Sequence, residues 1–253
     1  MKTLRDTWLI FGRYFGILLG NPVWVIIGVT QPVLYLVLFA PLLKSIATVQ
    51  GFPPGGAYNV FVPGLLIQLG LFGAAGVGFS LIAELRAGVI ERLRVTPVSR
   101  ISLMLGRALR DMLVLLIQSA ILLLLAIPFG LQATVGGAAV MLALVALVGL
   151  ATACIAYAVA LWLRSEDSYA PLIFTASLPL LLLSGVLLPL TLAPDWLRTI
   201  ADVNPLSYAV NAARDLFNGH MASPEVAKGT LIMAVLAVGS LILAARSFNR
   251  AIA

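Results

Sequence analysis

Two uncharged runs of membrane length, with a charged island between them, constrain this chain more than any other feature. Residues 59–83 carry no charged side chain, and neither do residues 112–163. Between them, residues 84–100 (ELRAGVIERLRVTPVSR) hold four arginines and two glutamates. A hydrocarbon core about 30 Å thick is crossed by about 20 apolar residues in a helix. The island is therefore expected at a membrane surface. Within it, Leu85, Val89 and Leu93 recur at i, i+4 and i+8, which predicts one short amphipathic helix. Arg86, Glu91, Arg92 and Arg94 project from its other faces. Pro97 predicts a stop, with Thr96 as N-cap of the next helix and Pro97 at its first position. Such a helix can dock its apolar side into a partner's groove and fix register with its charges. A solvated turn of membrane-flanking arginines accounts for the same pattern equally well.

Composition selects the class. The chain is 61% hydrophobic and 10% charged, where soluble domains run to about 25% charged. It has too little polar surface to coat a core, so it is expected to be an all-α polytopic membrane protein. The net charge of +6 is spread over membrane-flanking segments and is not a nucleic-acid signal. The single cysteine, Cys154, excludes an internal disulfide. No cleavable signal peptide is expected, because Arg13 interrupts the first apolar run and Asn21-Pro22 follows it.

Six spans are expected, at about 23–43, 60–83, 112–128, 138–163, 169–190 and 230–245, within a single domain covering 1–253. Leu4, Trp8, Phe11 and Phe15 suit an N-terminal helix lying in the interface. Pro-Pro-Gly-Gly at 53–56 marks a loop. Gly70, Ala74 and Gly78 form a small-residue row that predicts a close neighbour for span two. Arg107 and Asp111 are spaced to pair with each other at the membrane boundary. Pro171, Pro179 and Pro189 predict kinks in span five. Residues 192–217 read as two short outer helices, the second capped by Asn204 with Pro205 first and Asn218-Gly219 last. Span six, at 16 residues, is short and calls for local thinning. With six spans both termini share one side, and that side holds twelve of the sixteen lysines and arginines. The positive-inside rule makes that side cytoplasmic.

Absences narrow the function. None of the six spans contains Asp, Glu, Lys, Arg or His, which argues against a proton-driven carrier. The only histidine, His220, lies in the outer segment, so metal ligands are lacking. No lysine follows a glycine, so no P-loop exists and ATP binding must come from another polypeptide. The polar groups in the spans are amides and hydroxyls, among them Gln31, Gln68, Gln118, Thr175, Ser177 and Ser184.

The run Glu-Arg-Leu-Arg-Val-Thr-Pro-Val-Ser-Arg at 91–100 resembles the cytoplasmic motif of type-2 ABC exporter permeases, closest to the daunorubicin-resistance-like multidrug branch. Asn21-Pro22 before span one and Asn204-Pro205-Leu206-Ser207-Tyr208 outside agree with it. The resemblance implies that Glu84, Arg86, Gly88, Glu91, Arg92, Leu93, Arg94, Thr96 and Pro97 form a coupling segment seated on an ATPase subunit. Relatives often carry a charge where this chain has Ala87. The resemblance further implies an interfacial helix over 3–20 and re-entrant outer helices over 191–217. Two ATPase chains holding ATP and Mg and a second permease copy are implied as partners, with no cofactor on this chain and both termini in the cytoplasm of a bacterial inner membrane. Spans one, two and five would line the substrate path, with Gln31, Gln68, Thr175, Ser177 and Ser184 as its polar groups. The expected activity is export of small lipophilic drugs or antibiotics. A polysaccharide or glycolipid exporter and a non-transporting membrane scaffold are the alternatives.

Overall fold

The computed structural model describes residues 2–21, 23–39, 42, 56–94, 99–187 and 189–251. In chain order the helices are α1 (Lys2–Gly20), α2 (Val23–Leu34), α3 (Gly56–Ala75), α4 (Val77–Arg86), α5 (Val89–Arg94) and α6 (Arg100–Ala126). They continue as α7 (Val135–Leu163), α8 (Glu166–Leu182), α9 (Asp195–Ala201), α10 (Pro205–Phe217) and α11 (Pro224–Ala251). A π-turn, Tyr35–Phe39, extends α2. No strand occurs among the described residues.

Four stretches are long and apolar enough to cross a membrane: Gly56–Arg86, Ile101–Phe129, Val135–Leu163 and Pro224–Phe248. A fifth arises if Thr3–Gly20 and Val25–Leu38, bent by 69°, count as one span. The six expected spans are thus not all present at full length. Helix α8 stops at 17 residues, because the chain turns at Leu183 and passes through Gly185 with φ of +75°. Span one is described only to Phe39 and at Leu42. The last helix is not short: α11 runs 28 residues from Pro224, so no membrane thinning is needed. Span two is longer than its apolar run and carries Glu84 and Arg86 inside its last turn.

Helix α7 forms the axis. Its 29 uncharged residues are bracketed by two caps. Thr134 accepts a hydrogen bond from the Gly137 amide at 3.1 Å. At the other end Arg164 takes a left-handed conformation, φ 53°, and its Nε donates to the Leu161 carbonyl at 3.2 Å. Helices α3, α6 and α11 pack along α7. One apolar core gathers Phe61, Leu65, Val148, Leu216 and Met233, and a second gathers Leu81, Met104, Tyr157, Tyr169 and Phe248.

The small-residue row on span two meets two neighbours. Gly70 faces Val148, and the Thr152 hydroxyl donates to the Gly70 carbonyl at 3.1 Å. Gly78 faces Tyr169, where a Cβ would collide with the ring and its hydroxyl. Between them the helix breaks at Gly76. The Phe79 amide bonds the Gly76 carbonyl at 3.2 Å, three residues back. That leaves the Ala75 carbonyl without its usual intrahelical donor. Tyr169 supplies one, its hydroxyl lying 2.6 Å from that oxygen. In lipid no water is at hand for an unmet backbone carbonyl, so a break in a span needs such a donor.

The two short helices α9 and α10 lie where the sequence places them. Asn204 caps α10 by accepting from the Leu206 amide at 3.0 Å, Pro205 comes first, and Gly219 with φ of +86° follows the last turn. Helix α10 buries Leu206, Val210, Ala213 and Phe217. The expected apolar row there is split, since α9 starts only at Asp195 and leaves Leu192 in the turn before it, and Leu192, Trp196 and Ile200 all remain exposed. Arg214 is buried with carbonyl partners, Val60 at 3.1 Å and Gly185 at 2.6 Å. Desolvation lowers its pKa to about 10, which leaves it charged at neutral pH.

Tyr169→Phe is expected to cost about 0.6–1.7 kcal/mol, the range for hydrogen bonds inside membrane bundles. Gly78→Ala is expected to cost more, because it displaces the whole ring. Unfolding of the purified variants in mixed micelles measures both, and a wild-type Gly78→Ala protein would contradict the packing described.

Candidate functional site

The site begins where span two runs out of apolar residues. Glu84 lies in the last turn of α4 and points back into the bundle. Arg107, buried in α6, pairs with Glu84. The Tyr14 hydroxyl of α1 donates to the same carboxylate oxygen at 2.7 Å and accepts from Arg107 at 3.2 Å. Arg107 also reaches Ser80 at 3.3 Å. Its guanidinium lies 5.0 Å from the Tyr14 ring centre and 5.8 Å from that of Tyr157 in α7. One turn along α6, Asp111 accepts from the Tyr157 hydroxyl and, at 2.6 Å, from Arg110. Two carboxylate and guanidinium pairs would be costly if left unmatched in this setting. Here the charges and hydroxyls bind four helices, α1, α4, α6 and α7, to one another. Gly106 permits the approach of α1, because a Cβ there would stand 2.6 Å from an Ile10 methyl.

This arrangement corrects two expectations. Arg107 does not take Asp111 as its ion-pair partner; it takes Glu84, while Asp111 pairs with Arg110. Nor are the spans free of ionisable groups. The stretch Ile101–Phe129 carries Arg107, Arg110 and Asp111, and Gly56–Arg86 carries Glu84 and Arg86. The physical reason is common to both. The helices extend beyond their apolar runs, so boundary charges are drawn into the bundle and must find partners there.

The coupling segment is not one helix. Ala87 bonds back to Ala83 at 3.0 Å, and Gly88 to Leu85 at 3.1 Å with φ of +65°. A left-handed residue ends α4, and α5 restarts at Val89. The expected face of Leu85, Val89 and Leu93 therefore does not run continuously. The buried anchor is Ile90, which joins the second core. Arg86 and Arg92 are exposed, and Arg86 reaches Glu166 at 3.4 Å. Glu91, Leu93 and Arg94 lie on α5, with side chains outside those described. Thr96 and Pro97 lie outside the described residues. The helix that follows is capped instead by Ser99, whose hydroxyl accepts from the Ser102 amide at 3.1 Å.

Two cavities adjoin this junction. The larger, about 620 Å³, is walled by Phe72, Gly73 and Val77 at the break in span two, by Leu115 and Gln118 of α6, and by Leu150 of α7. The smaller, about 220 Å³, is lined by Tyr14, Asn21, Glu84 and Arg107. Leu18, Ser80, Arg110 and Asp111 line both. The expected path residues are elsewhere and are not brought together. Gln31 and Thr175 are exposed, Ser177 is buried, and Ser184 is buried with its hydroxyl on the Leu181 carbonyl at 2.6 Å. Gln68 is buried, and its Oε1 has no partner among the described residues. None of the five lines either cavity. The residues that sequence reasoning missed are Tyr14, Arg110 and Tyr157. The available signal was Arg107 itself, an arginine flanked by Gly106 and Ala108 at the edge of an apolar helix, which demands a partner.

Comparison with known proteins identifies the frame. The ABC-2 type transporter family profile matches residues 5–218. The transport permease ycf38 of Porphyra purpurea is 30% identical over 201 residues, 78% of this chain and 69% of the relative. Its namesake from Cyanophora paradoxa is 27% identical over 219 residues, 85% of this chain and 75% of the relative. The daunorubicin resistance ABC transporter permease DrrB1 of Streptomyces coeruleorubidus is 26% identical over 208 residues, 78% of this chain and 70% of the relative.

Arg107→Met leaves Glu84 without its cation and is expected to destabilise the fold by about 3–5 kcal/mol. Adding Glu84→Gln to that variant is expected to recover much of the loss. A double-mutant cycle on unfolding in micelles reads the coupling, and additive losses would contradict a direct pair.

Proposed function

The chain belongs to the ABC-2 type transporter family, and on that premise we propose that it is the permease subunit of an ATP-driven exporter of small lipophilic compounds. The family is one of transmembrane subunits, distinct from the ATPase that partners them. Resistance to daunorubicin in the name of one relative, and to doxorubicin in another, supports the cargo class. The apolar walls of the larger cavity support it as well.

In this reading residues 84–97 seat on the ATPase. The observation that carries it is the break at Gly88, which sets α5 apart from span two while Ile90 keeps it anchored. Exposed Arg86 and Arg92 then offer charge to the partner. Movement of α5 reaches the bundle through Glu84, four residues before Gly88 and paired with Arg107. Two ATPase copies, holding ATP and Mg, and a second permease complete the machine. Six crossings are retained: α2 belongs to the first, and α8 forms the fifth, its 17 residues accommodated by local thinning. Helix α1 lies along the cytoplasmic interface, α9 and α10 re-enter the outer one, and both termini are cytoplasmic in a bacterial inner membrane.

The double variant Glu91→Ala with Arg92→Ala is expected to insert normally and to lose export. Capture of the ATPase subunit by the purified permease should weaken about tenfold, corresponding to about 1.4 kcal/mol. Wild-type export and capture would remove this segment from the coupling role.

A further inference from the structure

The two adjoining cavities divide by chemistry. The larger has walls of Phe72, Val77, Leu115 and Leu150, and its 620 Å³ lies within the range of about 300–1,000 Å³ that encloses a drug-sized molecule. The smaller is edged by Tyr14, Asn21, Glu84 and Arg107. Arg110 and Asp111 stand where the two meet. An apolar chamber with a polar collar suits a compact amphiphile, its body in the chamber and its head at the collar.

The collar also selects the head. Its carboxylates are already engaged. Glu84 accepts from Arg107 and Tyr14, Asp111 from Arg110 and Tyr157, and Glu166 at the rim of the chamber from Arg86. The cations are not equally spent. Arg107 is held by Glu84, Tyr14 and Ser80. Arg110 has one acceptor among the described residues, Asp111, and its side chain stays partly exposed where the two cavities meet. The unmet capacity at the collar is therefore donor capacity.

We propose that these cavities form one binding site for a compact amphiphile whose head accepts hydrogen bonds, with Arg110 as the head-group anchor and the break in span two as the chamber wall. The proposal rests on the exporter reading for its biological role, but the site itself does not require it.

The test uses the full-length permease in phosphatidylcholine nanodiscs and two photoactivatable probes. One is a diazirine-bearing fatty acid, and the other is an alkyl trimethylammonium of the same chain, which has no acceptor. The fatty acid should label residues 73–83 and 112–118 saturably, and the ammonium probe about tenfold less. Arg110→Gln should weaken fatty-acid labelling about tenfold, while Arg110→Lys, which keeps a charged donor, should retain much of it. Gly73→Phe should abolish labelling by filling the chamber. The first carbon of that side chain meets only ordinary contacts, since a Cβ at Gly73 lies 3.6 Å from Leu115 and 3.9 Å from Gln118. Equal labelling by the two probes, labelling unchanged in Arg110→Gln, or labelling that survives Gly73→Phe would each overturn the proposal. Displacement of the probe by phosphatidylglycerol would also overturn it, since bilayer lipid would then be the occupant. Labelling needs neither nucleotide nor ATPase, so its failure leaves the exporter reading standing. Failure of ATPase capture, in turn, overturns that reading and leaves the site.

Discussion

A buried arginine at the edge of an apolar helix cannot be left unpaired, and the arrangement around Arg107 follows from that constraint. Glu84 is the first charge after span two's uncharged run, and it turns inward to meet Arg107. Tyr14 hydrogen-bonds both and so fixes α1 against α4 and α6. Tyr157 faces the same guanidinium from α7 and holds Asp111. One ion pair and two tyrosines thereby set how four helices meet at one end of the bundle. The same contacts bound the smaller cavity. Packing and site are thus two consequences of a single electrostatic requirement.

The broken span two serves a different end. A continuous helix transmits displacement along its axis, whereas a break at Gly76 divides it into two pieces. Tyr169 meets the freed Ala75 carbonyl, so the break persists without an unsatisfied backbone group. The chamber opens beside this break, and α4 below it ends at the charged junction. In the proposed mechanism, motion of α5 therefore enters the bundle through a short helix that also walls the cavity.

Much of the fold was legible in the sequence, and the reasons are local. Residues 138–163 announce a helix by length and absence of charge, and Asn204-Pro205 announces another by its cap. Gly88 belongs to the coupling segment that the resemblance implies, and its positive φ supplies a physical reason for a glycine there. The site was less legible. Spacing along α6 pointed Arg107 at Asp111, but tertiary packing brought Glu84 and Tyr14 closer, and these lie 23 and 93 residues away in sequence. Hydroxyls and amides in apolar runs suggested a path through Thr175 and Ser184, yet periodicity does not tell which side of a helix meets a cavity. Arg110 and Gln118 do meet it, because the break in span two opens on that side of α6.

The central claim is that the charged junction lies at the end of the bundle that faces the ATPase, opposite α9 and α10. Cysteine accessibility in sealed vesicles tests it most directly, since the only native cysteine, Cys154, is buried. Arg92→Cys should react with a membrane-impermeant maleimide only from the cytoplasmic side, and Thr199→Cys only from the opposite side. Labelling of both from the same side, or of Arg92→Cys from outside, would contradict the account.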